Sequence, residues 1–389
     1  MKIGVLTYHR IVNSGAVVQA FAVTKILKNI YPQAQIEVID LFPTKMLFKE
    51  NRKRISLRNI KLNKEFIQKQ EACKNFIIKN TQLSSRRAFY NNGIRAAKWI
   101  DKLNYDLVVV GSDTVWELRK PGYAPRGLNP YCLPYQGNYL KASISVSMDP
   151  INDIDKEQSL EFEERIKWIE KFNYISVRDK ATLNFINSYK TNSANFNLLP
   201  DPTLIDGLDN FGDYSVKSKI PEDIMSSKKG GLSISEKNAS IVIKSLSDYG
   251  FKSIDVGARN QGIVDYATPP YFTIQQVYAV HNYLDILITD RFHASIFTIL
   301  QSDAPVFFFE DPSKWNSQNS KGRDLFKLLN IEYMVFRDIS LVKDKSWIDK
   351  KISEWQKSLP EIKTNLANLR EQGFKEIKSG LLGVTKKIV

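Results

Sequence analysis

Short apolar runs alternate with amphipathic stretches along almost the whole chain, which is the pattern of an α/β protein. Runs rich in branched apolar residues predict buried parallel strands at 2–7, 35–40, 106–110, 142–146, 174–178, 230–235, 253–256, 284–289 and 305–309. Helical periodicity predicts helices after a turn at 13–15 and at 63–79, 85–103, 155–172, 179–189, 239–249, 272–283, 294–300, 324–329 and 347–373. We therefore predict two doubly wound, Rossmann-like domains that face each other across a cleft.

A chain of 389 residues suits two domains of ordinary size. We place the N-terminal domain at 1–205 and the C-terminal domain at 220–345, with a linker around 206–219. Residues 346–389 are predicted to form a helical tail that packs back on the first domain. The segment 44–104 is predicted to be a basic helical insertion in the first domain.

The stretch 284–309, LDILITDRFHASIFTILQSDAPVFFF, is predicted to run strand, sharp turn, helix, strand. We expect Asp290 to be the helix N-cap, which places Arg291 and His293 in the first turn, just past the carboxyl end of a strand. Open α/β sheets bind ligands at such ends, and a helix N-terminus favours anions. The pattern therefore favours a phosphorylated or carboxylated ligand. The alternative is that Arg291 makes a surface salt bridge and His293 packs under a loop.

Two further βα turns carry candidate residues. Asn13 and Gly15 lie in a tight turn after the first strand, where they either shape the turn or contact a ligand. Asp113 follows the strand 106–110 and could cap the next element or serve chemistry. Downstream, the polar stretch NSQNSKGR at 316–323 is predicted to be a loop that carries Lys321 and Arg323.

Composition excludes several classes of protein. Two cysteines and three histidines give neither a disulfide framework nor a zinc site, so we expect no metal. The apolar run near the N-terminus is too short for a signal peptide, and no run approaches a membrane span, so we expect a cytoplasmic location. The net charge is +14, and 44–104 holds 16 Lys and Arg against four acids. This segment is a pair of helices with solvated faces, a surface for an anionic membrane or lipid-linked diphosphate, or a nucleic-acid site. Nucleic acid is disfavoured because no recognised motif accompanies the charge.

Four segments in order resemble the polysaccharide pyruvyl transferase family: HRIVNSGAVVQA, VVVGSDTVW, ISVRDKAT followed by LLPDPTL, and LITDRFHASIFTILQSDAPVF. They cover most of the chain from residue 3 to about 330, apart from 44–104. Two positions depart from the family pattern, since Thr114 stands where Gln is common and Glu117 where Asn is common. Both follow GSD, so they bear on the acceptor more than on the chemistry.

The resemblance implies a fold similar to GT-B glycosyltransferases, with the acceptor on the N-terminal side and the donor on the C-terminal side. The implied activity is transfer of pyruvate from phosphoenolpyruvate to a sugar as a cyclic ketal, releasing phosphate. Phosphoenolpyruvate would be a co-substrate, and no cofactor is implied. Carried over by motif, Arg178, Arg291 and His293 would line the donor site, with Lys321 as a further contact.

Each role has a chemical reason. Two Arg can clamp the carboxylate and phosphate of the donor through paired hydrogen bonds. We expect a protonated His293 to act as general acid or base, because the enol methylene carbon must gain a proton. Asp113 or Glu310 could take protons from the acceptor hydroxyls, with Asn13 and Gly15 also on the acceptor side.

The acceptor itself is open. Galactose, glucose and N-acetylmannosamine all fit, and we favour a 4,6-ketal on galactose of a capsular or exopolysaccharide repeat. The acceptor could be linked to polyprenyl diphosphate, with the basic segment making peripheral contact at the inner face of the cell membrane. The alternatives are a GT-B glycosyltransferase that uses a nucleotide sugar, and a non-catalytic binding protein on the same scaffold. The Gln318 eight residues after Glu310 counts against the first, since many retaining members have Glu there.

Overall fold

Each half of the chain is built on its own six-stranded parallel sheet among the described residues. The computed structural model describes residues 1–52, 60–117, 129–148, 156–189, 195–257, 263–315 and 320–386. The chain divides into unit 1, Met1–Asp206 with Arg370–Val389, and unit 2, Gly207–Leu369. The prediction of two parallel-sheet α/β domains is confirmed.

Unit 1 alternates strands and helices from its first residues. Its strands are β1 (Lys2–Leu6), β2 (Gln35–Val38), β3 (Leu107–Asp113), β4 (Leu140–Val146), β5 (Ser176–Val177) and β6 (Asn197–Leu198). Its helices are α1 (Ser14–Ile30), α2 (Thr44–Arg52), α3 (Ile60–Asn80), α4 (Gly93–Asp101), α5 (Lys156–Ile169), α6 (Lys180–Tyr189) and α7 (Pro202–Asp206). The strand order is β2-β1-β3-β4-β5-β6. The chain first adds β2 on one side of β1 and then adds β3 to β6 on the other side, so the topological switch point lies between β1 and β3.

Unit 2 repeats this plan. Its strands are β7 (Lys228–Ser233), β8 (Phe251–Asp255), β9 (Tyr266–Ala267), β10 (Ile286–Thr289), β11 (Val306–Phe309) and β12 (Val335–Phe336). Its helices are α8 (Glu222–Met225), α9 (Glu236–Asp248), α10 (Ile274–Val280), α11 (Phe292–Gln301) and α12 (Lys321–Leu328), followed by α13 (Lys345–Thr385). The order β12-β11-β10-β7-β8-β9 reverses at β7 and β10. Ligands of open α/β sheets bind at such reversals, outside the carboxyl ends of the strands.

The unit boundaries differ from the predicted domain limits for identifiable reasons. Residues before 220 already belong to unit 2, because the backbone N–H of Asp213 donates to the Gln275 carbonyl at 3.2 Å and its carboxylate accepts from Gln276 at 2.9 Å. The tail is one helix whose last part joins unit 1. There Ile377 and Leu381 are fully buried in an apolar cluster that also contains Val109 of β3.

Several predicted elements shift when tertiary contacts are present. The predicted helix 85–103 shrinks to α4, because Leu83 and Ala88 form parallel bridges to Val38 and Leu41 at the end of β2. The prediction that Lys321 lies in a polar loop is wrong, because Lys321 is the first residue of α12 and Ser320 caps that helix. Residues 316–319 of that loop lie outside the described residues. Within the described part of the chain, no helix is both long and apolar enough to cross a membrane.

His281 makes the stability of unit 2 depend on pH. Burial lowers its pKa to about 3, and its Nδ1 lies 2.7 Å from the Thr298 hydroxyl. In the unfolded chain this histidine binds a proton below about pH 6.5, whereas in the folded chain it stays neutral. The free energy of unfolding therefore falls as the pH drops below 6.5. We expect this residue to remove up to about 1.4 kcal/mol from the free energy of unfolding for each unit that the pH falls between about 6.5 and about 3. Chemical denaturation at several pH values checks this, and His281→Gln should flatten the slope; an unchanged slope would contradict it.

Candidate active site

Arg291 and His293 lie at the junction between β10 and α11, beside the switch point between β7 and β10 in the sheet of unit 2. The Thr289 hydroxyl donates to the Ser233 carbonyl at 2.6 Å, which joins the ends of β10 and β7. The same hydroxyl oxygen accepts from the Arg291 backbone N–H at 3.0 Å. The side chains of Arg291 and His293 are half-buried, so both border solvent just past the carboxyl end of a strand, as predicted.

Asp290 is not the helix N-cap, which corrects the sequence prediction. The helix begins at Phe292 with Arg291 at the N-cap position, and Arg291 makes no side-chain capping hydrogen bond. The Asp290 carboxylate instead pairs with the Arg291 guanidinium at 2.8 Å and with Lys314 at 2.9 Å. The turn closes one residue later than expected because Thr289 takes the Arg291 N–H. The start of α11 thus carries the Arg291 guanidinium, paired with Asp290, where a helix attracts anions.

Lys321 joins this corner from the start of α12. Its ammonium lies 5.8 Å from the centre of the Phe292 ring, the first residue of α11. The cap residue Ser320 accepts from the Arg323 backbone N–H at 3.1 Å, which fixes the direction of α12. The sequence-predicted residues Arg291, His293 and Lys321 are therefore brought to neighbouring helix starts within unit 2.

Glu310 directly follows β11 and is fully buried. Its carboxylate accepts from the Ser320 hydroxyl at 2.6 Å and from Arg323 at 3.0 Å, and Arg337 lies 3.7 Å away. Burial acts to lower the pKa of Arg323, but Glu310 and Glu332 outweigh it and raise the pKa. The geometry makes Glu310 the residue that holds Arg323 and the start of α12. Its predicted acceptor contact stays a prediction.

In unit 1, Arg178 is enclosed by carboxylates at the carboxyl edge of the sheet. Its guanidinium donates to Asp201 at 2.7 Å and lies 3.9 Å from Asp113. Burial acts to lower the pKa of Arg178, but the charges of Asp201, Asp113 and Asp179 outweigh it and raise the pKa. The structure therefore brings together two predicted residues, Arg178 and Asp113. Arg178 is only 4% exposed, so its first partners are these carboxylates.

Gln19 and Asp201 complete this network, and the sequence reading missed both. The Gln19 amide donates to Asp201 at 2.6 Å and to the Ser112 hydroxyl at 2.8 Å. Asp201 also accepts from the Thr203 backbone N–H at 3.0 Å. A polar Gln on the otherwise apolar face of α1, and an Asp between two prolines, were signals that could have found them.

The backbone beside this network is in an unusual conformation. Ser112 and Asp113 have φ values of 30° and 69°, and Ser145 of the neighbouring β4 has 50°. Non-glycine residues with positive φ are uncommon and cluster at functional sites. The Asp113 carboxylate accepts from the Thr114 backbone N–H at 2.8 Å, which supports the bend. Asp113 is thus held at the end of β3 by its own turn.

Asn13 and Gly15 start α1 at the sheet reversal of unit 1. The Asn13 side chain is the helix N-cap and accepts from the Gly15 N–H at 3.0 Å. Asn13 is exposed, whereas Gly15 is buried. In the structure, Asn13 and Gly15 shape the turn that starts α1. Their contact with a ligand stays a prediction.

A second charged cluster of unit 1 surrounds Asp40, which follows β2. The buried His9 places Nε2 3.1 Å from the Asp40 carboxylate and Nδ1 3.1 Å from the Thr7 carbonyl. Arg10 and Arg87 also pair with this carboxylate. Burial acts to raise the pKa of Asp40, but the hydrogen bonds from His9, Arg10 and Arg87 outweigh it and hold the pKa well below its usual range. The sequence reading missed this cluster, although IEVID ends in an acid directly after a strand.

Three solved structures show the same fold at low sequence identity. UDP-GlcNAc 2-epimerase from Neisseria meningitidis, bound to UDP-GlcNAc, aligns with a TM-score of 0.50 and 12% identity over 98% of this chain and 100% of that chain. The epimerase from Methanocaldococcus jannaschii gives 0.50 and 10% over 91% and 92%. The glycotransferase of kitacinnamycin gives 0.51 and 8% over 98% of each chain. These likenesses confirm the predicted similarity to the GT-B fold, and they show the fold alone.

The sequence comparisons decide the family. No curated protein matches the sequence. A family profile described as polysaccharide pyruvyl transferase matches residues 13–302, which is more than half of the chain. The match runs from the Asn13 turn through the end of α11 and includes the positions of Asp113, Arg178, Arg291 and His293. The chain belongs to the polysaccharide pyruvyl transferase family.

Proposed function

We propose that the protein transfers pyruvate from phosphoenolpyruvate to two hydroxyls of a sugar, forming a cyclic ketal and releasing phosphate. The observation that carries the proposal is the pair Arg291 and His293 at the start of α11, beside the β7–β10 reversal. Arg291 can form two parallel hydrogen bonds to an anion, and the ring of His293 can transfer a proton. Both residues lie where α/β sheets bind anions. Phosphoenolpyruvate presents a carboxylate and a phosphate to such a site.

The donor would be held by charge from two helix starts. Arg291 suits the carboxylate or phosphate because its planar fork matches either anion. Its present partner, Asp290, also pairs with Lys314, so Asp290 keeps a cation when Arg291 turns to the donor. Lys321, close to Phe292, adds a second positive charge for the phosphate.

Ketal formation removes one proton from each of two sugar hydroxyls and adds one proton to the methylene carbon of the donor. One sugar oxygen forms a bond to the central carbon of the enol, while His293 delivers a proton to the methylene carbon and creates the methyl group. The bond from that carbon to the phosphate oxygen then breaks, and the second sugar oxygen takes its place. The two hydroxyls lose two protons, of which one replaces the proton of His293 and the other leaves with phosphate. His293 thus serves once as acid and once as base.

Asp113 of unit 1 is proposed as the base that takes a hydroxyl proton of the acceptor. Its side chain is about one-eighth exposed and is held at the end of β3 by the turn to Thr114. Arg178 is proposed as a donor contact, as the family motif implies. The acceptor needs two hydroxyls at 1,3 spacing to close a six-membered ketal, which the 4- and 6-hydroxyls of galactose provide.

Thermal unfolding with and without phosphoenolpyruvate tests the donor. A ligand at about 100 times its dissociation constant stabilises the folded state by about 2.7 kcal/mol. We expect phosphoenolpyruvate to raise the Tm, Arg291→Ala to remove most of the shift, and Arg291→Lys to restore only part of it because Lys lacks the fork.

The matched control is Lys350→Ala, which removes an exposed cation of α13 and should leave the shift unchanged. Inorganic phosphate at equal ionic strength controls for simple anion binding. If nucleotide sugars stabilise the protein and phosphoenolpyruvate does not, the proposed donor is wrong and a glycosyltransferase activity takes its place.

A further inference from the structure

Three large apolar side chains point into solvent at neighbouring positions of unit 1. Phe48 of α2 is 65% exposed, Phe89 is 43% exposed, and Ile94 of α4 is 41% exposed. Apolar surface left in water in this way is unfavourable, and the cost grows with the exposed area. Their grouping on one surface points to a partner that covers them.

Backbone contacts bring these three positions together. The Thr44 hydroxyl, one turn before Phe48, donates to the Phe89 carbonyl at 3.1 Å. The next backbone N–H of α2 donates to the Asn91 side chain at 3.0 Å, and Asn92 caps α4 two residues before Ile94. The starts of α2 and α4 and the loop between α3 and α4 therefore form one surface.

The same elements are anchored from below, so the exposed side chains are not the product of a loose loop. Met46 of α2 is 1% exposed, Ala88 is 6% exposed, and Ala96 of α4 is fully buried, all in one core cluster. Each outward apolar residue thus has an inward neighbour that fixes its direction. The elements that carry the surface are therefore packed on the core of unit 1.

Positive charge surrounds the apolar side chains. Lys45, Arg86 and Arg95 are all exposed on these segments. The acids closest to Lys45 along the chain, Asp40 and Glu50, are buried at 3% and 4% exposure, and the acid nearest Arg95, Asp101, lies at the other end of α4. We define the docking surface as Lys45, Phe48, Arg86, Phe89, Ile94 and Arg95.

We propose that the docking surface binds an anionic lipid bilayer, with its apolar side chains inserted at the boundary between headgroups and acyl chains. Peripheral proteins combine apolar insertion with basic contacts in this way. The cations complement a surface of acidic phospholipids, where each is worth about 1 kcal/mol. A nucleic acid would satisfy the charge, but it would not cover aliphatic Ile94. This inference goes beyond the proposed pyruvyl transfer and does not depend on its donor.

Co-sedimentation of the whole protein with vesicles of equal parts phosphatidylglycerol and phosphatidylcholine tests the proposal. We expect binding at low salt that weakens with added salt and is absent with phosphatidylcholine alone. Replacing the three apolar residues (F48S, F89S and I94S together) should lower the partition coefficient on the order of tenfold or more. Replacing two cations (R86Q and R95Q together) should lower it about 25-fold, since about 1 kcal/mol is about fivefold.

Matched controls remove the same chemistry elsewhere. I263S with Y271S replaces two exposed apolar residues of unit 2, which are 52% and 63% exposed. K350Q with K357Q replaces two exposed cations of α13. Both control pairs should bind vesicles as the wild type does. All variants change exposed side chains and should melt like the wild type; F48S alone keeps the test valid if the triple variant does not fold.

Three results would overturn the proposal. The first is no binding to anionic vesicles at low salt. The second is a triple apolar variant that binds as tightly as the wild type, which would leave only non-specific attraction. The third is a single-stranded oligonucleotide that binds more tightly than vesicles and depends on the same residues. The thermal shift with phosphoenolpyruvate is measured without vesicles, so the two proposals fail independently.

Discussion

Replacing His293 by asparagine is expected to lower the rate of pyruvyl transfer by about 10²- to 10⁴-fold, while phosphoenolpyruvate still stabilises the protein. The ring lies in the first turn of α11, with its centre 5.3 Å from the Phe292 ring and 6.1 Å from the Phe297 ring. These contacts hold the ring in place, so a smaller polar group there should leave Arg291 undisturbed. The loss should therefore fall on proton delivery and not on donor binding.

Phosphate release in the presence of a sugar acceptor measures the rate, and thermal unfolding measures donor binding. Arg291→Ala is the informative comparison, because it should lose the thermal shift as well as the rate. A His293→Asn protein that transfers pyruvate at nearly the wild-type rate would show that another group protonates the enol carbon. Loss of both binding and rate would assign His293 to the donor contact alone.

Replacing Asp201 by alanine is expected to destabilise unit 1 by about 3–5 kcal/mol, because it removes one partner of a buried ion pair. Arg178 would keep its charge in a site where it is 4% exposed, with Asp113 as a longer contact at 3.9 Å. The Gln19 amide would lose an acceptor at 2.6 Å. Chemical denaturation measures the change in the free energy of unfolding.

A double-mutant cycle separates the pair from its surroundings. Arg178→Met together with Asp201→Ala should recover part of the lost stability, since no unpaired charge then remains buried. The control is Asp303→Ala, which breaks the exposed ion pair with Lys363 and should cost at most about 1 kcal/mol. If Asp201→Ala costs no more than the control, the ion pair does not hold this edge of the sheet.

Local signals were sufficient for the strand–turn–helix that carries Arg291 and His293. The apolar strand, the polar turn and the buried helix are all encoded within a short stretch, so their order could be read directly. The helix begins one residue later than predicted, because the hydroxyl of Thr289 accepts from the Arg291 N–H. A turn depends on which of several nearby oxygens accepts, and periodicity does not specify that choice.

Contacts between distant residues could not be predicted in the same way. Gln19 and Asp201 are 182 positions apart, and only the folded sheet brings them to Arg178. The helix predicted from 85 failed for a related reason, since Ala88 pairs with the end of β2 instead of continuing a helix. In this second case a tertiary partner outweighed the local preference of the chain. The proposed roles in catalysis and binding stay predictions for all of the candidate residues: His293, Asp113, Arg178, Arg291, Lys321, Asn13, Gly15 and Glu310.

The discontinuity of unit 1 has a consequence for how the protein is made. A ribosome synthesises β1 to α7 first, yet Ile377 and Leu381 belong to the buried apolar cluster of that unit. Until α13 has been translated, residues such as Ile205 and Tyr174, which Gly373 and Gly380 approach closely, lack their cover. Domains generally fold in the order of their synthesis, and exposed apolar surface favours aggregation. Unit 1 departs from that order, because its apolar cluster stays incomplete until residues 377 and 381 have been translated, so we expect it to become native only after the end of α13 has been made.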